Sequence, residues 1–371
     1  MRIVFAIDSF KGSLGSLEAG RVAAEGAYRA MPDAECVVRP LADGGEGTVE
    51  AIVGEGGLRK VEVTGPAGRP VVATYGIAGG TAIIEMAQAA GITLVSGAER
   101  NPLRTTTFGV GEIVRDAIAN GCRRFVVGIG GSATNDAGAG MLQALGFRLL
   151  DREGRDVPRG GAGLAALARI DRTPALPELA DCTFRVACDV TNPLCGERGA
   201  SAVFGPQKGA TPEMVAELDA ALAHFADVSG GDASAPGAGA AGGLGFAFRE
   251  FLGAELKSGV EIVLEETRLA EYVRDADIVV TGEGRLDAQT VMGKAPIGVA
   301  RLAKRYGKKV IALAGCVAPD AGAVNGHGID AFFPVLREVT TLEEALDKGN
   351  AAANLAATAE QVFRCLRLGE R

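Results

Sequence analysis

Residues 124–150 read RFVVGIGGSATNDAGAGMLQALGFRLL, and the pattern within them settles what architecture to expect of the whole chain. Residues 125–129 form a short, almost wholly apolar run with β-branched side chains, as a buried strand requires. Gly128, Gly130 and Gly131 then permit a tight turn and leave backbone N–H groups uncovered. Ser132, Thr134, Asn135 and Asp136 follow, and residues 139–147 place apolar side chains at a helical period. Strand, glycine turn and helix start together predict an anion site, because unpaired N–H groups and the helix dipole both point at a ligand. A phosphate suits such a place best.

Working outward, 371 residues exceed the single core of about 250–300 residues that one domain usually builds. The hydrophobic share of 47% can fill such cores. With 38 basic and 46 acidic side chains the net charge is −8, and no basic run opposes it. That balance argues against a nucleic-acid partner and against an acidic membrane surface. An anionic ligand must then be met by local lysines and N–H groups. Seven cysteines, an odd number with no Cys-x-x-Cys pair, suggest neither a disulfide framework nor a zinc cage. The opening apolar run ends at Asp8, too soon for a signal peptide, and the uncharged stretch 233–248 is glycine-rich and shorter than the roughly 20 residues of a membrane span. A soluble, cytoplasmic protein is expected. His224 and His327, the only histidines, leave little material for imidazole chemistry.

Residues 2–7 read as a strand, 17–31 as a helix, 35–41 as a second strand, and a helix follows through Val53. This βαβα opening is that of a doubly wound parallel sheet, whose ligands lie beyond the carboxyl ends of the strands. From 58 to 84 short alternating strands are broken by Gly-Pro and Gly-Gly, a hairpin-rich texture. Residues 151–181 look like loop, 183–188 like a strand, 212–228 like a helix and 230–245 like a Gly/Ala loop. The last third returns to the opening style, with strands at 277–281, 309–314 and 329–335, a turn at 282–287, and helices at 296–306 and 342–368. The expected fold is therefore α/β with two domains. A Rossmann-like domain is built from both chain ends (1–57 and 285–371), and a mixed α/β domain (58–284) is inserted between them.

Glycine makes up 54 of 371 residues, so glycine spacings arise easily by chance. GAGAAG at 237–242 has the dinucleotide spacing but no strand before it. GIGGSA at 128–133 does follow a strand, and Asp151 lies some twenty residues on, which would support a nicotinamide-dependent oxidoreductase of 2-hydroxy acids. Hydroxyls and acids crowded onto the presumed first helical turn suit a polar substrate or a metal better than a pyrophosphate. Polar clusters recur at strand-to-helix turns: residues 8–11, 43–48, 132–136, Asp189 and 283–294. A helix cap accounts for one such Asp or Ser, but not for lysines beside acids in several turns. Carboxylates for Mg²⁺, lysines for phosphoryl oxygens and N–H-rich loops are the parts of phosphoryl transfer. Neither Gly293-Lys294 nor Gly307-Lys308 has P-loop spacing. Lys11 and Lys294 are the strongest lysine candidates, and Lys208 is third.

With these motifs in view, the sequence resembles the bacterial glycerate kinase family, type I group. The likeness rests on DSFKGS at 8–13, ADGGEGT at 42–48, GGSATND at 130–136, CDVTNPLCG at 188–196, FGPQKGA at 204–210, TGEGRLD at 281–287 and GKAPIGVA at 293–300. It runs from Met1 to about Leu368. Ile7 stands where the family carries proline and Ala137 where glycine is common; neither change removes a functional group. The resemblance implies ATP-dependent phosphorylation of D-glycerate with Mg²⁺, usually giving 2-phosphoglycerate, in a cleft between two α/β domains. The alternative product is 3-phosphoglycerate. A non-catalytic sugar-acid sensor is the third reading, and the intact acids and lysines argue against it.

The expected roles follow. Asp189 or Asp8 accepts the hydroxyl proton, and Lys11 and Lys294 face phosphoryl oxygens. Ser9, Asp43, Glu46, Thr48, Ser132, Thr134, Asn135 and Asp136 form the substrate-binding set. Gly130, Gly131, Lys208, Gly282 and Gly293 are expected at nucleotide phosphates, and Glu283 and Asp287 at the metal. The expected partners are D-glycerate and ATP, and the choice between monomer and homodimer stays open.

Overall fold

The computed structural model describes residues 1–368. The chain forms two compact units: Met1–Asp43 with the chain from Val260 onward, and Gly44–Gly259. The first unit opens with β1 (Arg2–Ile7), α1 (Ser16–Ala30) and β2 (Glu35–Val38). The second contains α2 (Thr48–Val53), β3 (Leu58–Thr64), β4 (Pro70–Ala78), β5 (Thr81–Glu85), α3 (Ala87–Ala90), α4 (Phe108–Ala119) and β6 (Arg124–Gly128). It continues with α5 (Ala139–Ala144), β7 (Arg148–Leu150), β8 (Arg169–Asp171), β9 (Thr183–Ala187), α6 (Ala200–Phe204), α7 (Pro212–Ser229), α8 (Ala240–Leu252) and β10 (Glu255–Lys257). The chain then returns through α9 (Gly259–Glu266), α10 (Leu269–Arg274), β11 (Ile278–Leu286), α11 (Ala295–Arg305), β12 (Lys309–Val317), β13 (Ala331–Pro334), α12 (Leu342–Leu346) and α13 (Lys348–Leu368).

The sheet of the first unit has the order β13-β12-β11-β1-β2 and is parallel throughout. Its central strands β1, β11 and β12 read as nearly continuous apolar runs because both faces are covered, while the edge strands β2 and β13 are half-buried or exposed. Ile3, Phe5, Ile7, Ile278, Val280, Ile311 and Leu313 pack with α1 and α13 on one side. Their alternates Val4, Val279, Val310 and Ala312 are equally buried, with α11 against β11 and β12. The second unit has a six-stranded sheet, β10-β9-β6-β5-β4-β3. Its β3-β4-β5 portion is an antiparallel meander and the rest is parallel. Its core includes the stacked pair Phe125 and Phe184, with ring centres 4.6 Å apart. Both units are thus α/β, one with a parallel and one with a mixed sheet.

Several sequence expectations move. The units divide after Asp43 and after Gly259, not at 57 and 284. The first shift arises because the amide of Val49 in α2 donates to Glu85 at the end of β5, which ties α2 to the mixed sheet. The second arises because β11 pairs with both β1 and β12. The expected terminal domain also included 369–371, which lie outside the described residues. The turn expected at 282–287 is the extension of β11 to Leu286. The expected 342–368 helix breaks at Asp347 into α12 and α13. β8, in the expected loop region, pairs with β7 just before that region as a separate two-stranded antiparallel sheet. That arrangement removes the dinucleotide reading: α5 begins only at Ala139, and Asp151 follows a strand that does not neighbour β6 and is bonded to Arg155.

The Gly/Ala loop also ends earlier than expected, since α8 begins at Ala240. Ala241, Gly242 and Gly243 keep left-handed φ values of 52°, 69° and 91°. Glycine is needed at 242 because a Cβ there would meet the Thr134 carbonyl at 2.0 Å. Gly26 marks a comparable approach between α1 and α13, where a Cβ would meet the Ala356 carbonyl at 2.1 Å. In an open helix Gly26→Ala would gain about 1 kcal/mol from propensity. Here the expected sign is opposite, a net loss of about 1–3 kcal/mol from overpacking, measured by urea unfolding of the purified protein.

Candidate active site

The first unit carries a cavity of about 410 Å³ along the carboxyl ends of its five parallel strands. Asp8, Ser9 and Lys11 enter it after β1, Asp43 beyond β2, and Glu283 and Arg285 from β11. Lys294 reaches it from the start of α11. The pairing of β1 with β11 ends at Ile7 and Gly282, and the Asp8 amide then donates to the Gly282 carbonyl at 2.9 Å. Beyond that point β11 stays paired with β12 alone, so Glu283 projects into space that β1 has left.

These carboxylates act on one another. Asp8 is pushed up to about 7, first by burial and then by the negative charges of Asp43 and Glu283. The Ser9 amide, which donates to Asp8 Oδ1 at 2.7 Å, and the Lys11 ammonium pull the other way. Glu283 is also raised, chiefly by burial. Its Oε1 accepts the Thr290 hydroxyl at 2.6 Å, and Lys294 Nζ lies 3.5 Å from Oε2. The same Nζ is 3.5 Å from Asp287, whose Oδ1 accepts the Gln289 amide and caps a short 3₁₀ turn. Gly293, at φ 107°, closes that turn immediately before Lys294, and Gly282 allows β11 and β12 to approach closely.

Among the described residues no group of three or more His, Cys, Asp or Glu side chains is arranged to hold a metal ion by itself. Magnesium does not need such a cage, because it is commonly held by one or two carboxylates with substrate phosphates and water. The mutually repelling carboxylates beside the cavity, all hard oxygen donors, fit that cation. The repulsion by Asp43 and Glu283 that helps raise Asp8 is the observation that favours it.

The second unit holds the remaining expected residues. Glu46 and Gly130 are exposed, and Gly131 turns the chain at φ 75°. Thr48 is buried with Oγ1 unpartnered, at the start of a helix whose first N–H groups are met by Glu85. Glu85 was missed by the sequence reading; its one signal is an acid closing the apolar run TAIIE. Ser132, Thr134, Asn135 and Asp136 lie in irregular chain before α5, not on a helical turn. Ala137, at φ 52°, and Gly138, at φ 72°, separate them from the helix, and this left-handed backbone favours glycine. Asp136 accepts from the Thr107 amide and hydroxyl and from the amides of Gly138 and Gly140. Asn135 donates to Ser201, while Asn135 Oδ1 and Thr134 Oγ1 are buried without a partner.

Lys208 is enclosed in this unit, 2% exposed, with Nζ donating to the Thr134 carbonyl at 2.6 Å. Burial lowers its pKa to about 7 against the attraction of Asp136. Asp189 is exposed at the end of β9 and accepts the Gly259 amide at 3.1 Å.

Comparison with known proteins now bears on this arrangement. The glycerate kinase family matches residues 3–367. The chain belongs to that family. It is 51% identical over 375 residues to a Haemophilus influenzae protein named glycerate kinase, covering 99% of each. It is 49% identical over 380 residues to an Escherichia coli K12 protein named glycerate 2-kinase, covering 100% of this chain and 99% of that one. A crystal structure from Salmonella typhimurium LT2, provisionally named glycerate kinase 2, matches with a TM-score of 0.91 and 50% identity, over 100% of this chain and 99% of the other. Among the described residues of this glycerate kinase family member, no helix is long and apolar enough to cross a membrane.

Within the family motif GGSATND, Asp136 is the residue on which the local fold hangs. Asp136→Asn sets an amide N–H₂ against donors that need an acceptor. The expected loss is about 3 kcal/mol or more of unfolding free energy, read from urea denaturation.

Proposed function

We propose that the chain transfers the γ-phosphoryl group of ATP to a hydroxyl of D-glycerate, with Mg²⁺, giving 2-phosphoglycerate. The observation that carries this reading is a carboxyl, Asp8, pushed up to about 7 beside a cavity that also holds Lys11 and Lys294. A base near neutrality can take a proton from an attacking hydroxyl at physiological pH. The choice of the 2-hydroxyl is supported by the name of the Escherichia coli relative. The parallel sheet of the first unit, with its site beyond the strand ends, supports a Rossmann-like, doubly wound reading.

In the proposed step the glycerate hydroxyl oxygen forms a bond to the γ-phosphorus as the bond to the β,γ-bridging oxygen breaks. Asp8 receives the hydroxyl proton and ADP leaves. Lys11 and Lys294 hold phosphoryl oxygens and neutralise charge that grows on them in the transition state. Glu283 and Asp287 would hold Mg²⁺, which supplies further neutralisation of the phosphates. The polar group Ser132, Thr134 and Asn135 lies within the second unit.

Incubation of the purified protein with ATP, Mg²⁺ and D-glycerate tests activity through ADP release. ³¹P NMR of the product separates 2- from 3-phosphoglycerate, and absence of both overturns the proposal. Asp8→Asn is expected to lower kcat by about 10²–10⁴-fold with the KM for glycerate little changed. Asp189→Asn, assayed beside it, identifies the proton acceptor by the larger loss.

The pH dependence has a definite sign, because only the ionised carboxylate accepts a proton. With Asp8 at about 7, kcat/KM rises with pH and levels off above that value. Below it, the rate falls about tenfold per pH unit as Asp8 is protonated. An unchanged acid limb in Asp8→Asn would assign that limb to another group.

A further inference from the structure

Lys294 stands between two acids. Its Nζ lies 3.5 Å from Glu283 Oε2 and 3.5 Å from Asp287 Oδ1, the carboxylates proposed above for the metal. Both acids are largely enclosed, with side chains 11% and 16% exposed. We infer that Lys294 and Mg²⁺ occupy this position in turn, so that metal entry is what releases Lys294 toward the phosphoryl group. The inference rests on the kinase reading above and adds an order of events at the same site.

Local structure holds the two acids in place. The Thr290 hydroxyl, fully buried, accepts the Asp287 amide at 3.2 Å and donates to Glu283 Oε1 at 2.6 Å. With Oε1 engaged, Oε2 is the oxygen that Glu283 turns to Lys294. At the other acid, the Gln289 amide donates to Asp287 Oδ1 at 3.0 Å, and Arg285 Nε lies 3.5 Å from Oδ2. None of these contacts involves Lys294. The carboxylates therefore keep their places whichever cation stands between them.

The lysine, by contrast, leaves easily. A charge-assisted N–H to carboxylate bond runs about 2.7–2.9 Å, so an ammonium at 3.5 Å is held more by charge than by a directed bond. Its backbone is fixed at the start of α11, where the Lys294 carbonyl accepts the Ile297 amide at 3.0 Å. Only the side chain has to turn, and it already lines the cavity. Two cations cannot share one enclosed position between the same acids, because their repulsion grows as water is excluded. A doubly charged ion that prefers carboxylate oxygen displaces the ammonium.

Two measurements test this, and neither needs turnover. In the first, Mn²⁺, visible by electron paramagnetic resonance and bound by the same oxygen ligands as Mg²⁺, is titrated into the full chain without nucleotide. Lys294→Met should tighten Mn²⁺ binding by about tenfold or more, and adding Glu283→Gln should abolish that gain. Circular dichroism checks that each variant is folded. In the second, wild type is acetylated with an amine-reactive ester, and peptide mass spectrometry follows Lys294. Mg²⁺ should speed its acetylation several-fold over NaCl of equal ionic strength, while the exposed Lys60 is unaffected. The inference is overturned if Lys294→Met leaves Mn²⁺ affinity unchanged or weaker, or if the gain survives Glu283→Gln. It is equally overturned if Mg²⁺ slows Lys294 acetylation or leaves it unchanged. Failure of the kinase reading looks different: wild type then releases no ADP from ATP and glycerate, whatever the metal does to Lys294.

Discussion

Asp8, Asp43 and Glu283 are near enough for each of the other two to make ionisation of Asp8 harder, and the first unit is built to keep them so. In water such groups would separate. Here Asp8 follows the last paired residue of β1, Asp43 lies a few residues past β2, and Glu283 continues β11. β1 and β11 are buried, β2 is half-buried at the sheet edge, and all three are parallel. A shift of β1 along β11 would carry Asp8 away from Glu283, so the pairing that ends at Ile7 and Gly282 also positions the acids. Folding energy from apolar burial thus offsets an electrostatic cost localised at the strand ends.

That cost is graded. Thr290 and Lys294 partly satisfy Glu283, and Gln289 and Lys294 partly satisfy Asp287. Lys294 is 38% exposed, so water screens its ion pairs and their contribution to stability is small. Its value lies in geometry: a cation poised between two carboxylates can turn toward an arriving phosphate without losing a strong bond. Among the described residues, the neighbouring Ser9 amide and Lys11 favour the charge of Asp8. Burial and two neighbouring carboxylates oppose that charge, which brings Asp8 to the protonation range a general base requires.

Much of this arrangement was legible in the chain. Apolar runs ending in Asp8 and in TGEG announced buried parallel strands with polar carboxyl ends, and the return of that texture in the last third announced a unit made from both termini. The boundaries were less legible because they depend on partners distant in sequence. Nothing local in ADGGEGTVEAIV reveals that Glu85 receives the first amides of α2. Nor does TGEGRL reveal that β12 is long enough to keep it extended. Gly282 and Gly284 look like turn formers, yet Gly282 is there because β11 and β12 approach too closely for a side chain.

The stretch GGSATND is the instructive case. Its composition suggested a helix start offering bare amides and polar groups to a ligand, and the backbone takes another course. Left-handed φ at Ala137 and Gly138 delays the helix, which frees the Asp136 carboxylate to gather donors from Thr107, Gly138 and Gly140. Gly242 and Lys208 press on Thr134 from the same unit, one by close approach to its carbonyl and the other by a direct bond. A loop constrained by four elements has little freedom to rearrange around a ligand. The unpartnered oxygens of Thr134 and Asn135 are therefore fixed in position before anything binds. With Thr134 and Asn135 wholly enclosed, their rigidity serves the fold of the second unit, and a ligand at this loop would meet the exposed Gly130 and Gly131 and the edge of Ser132 first.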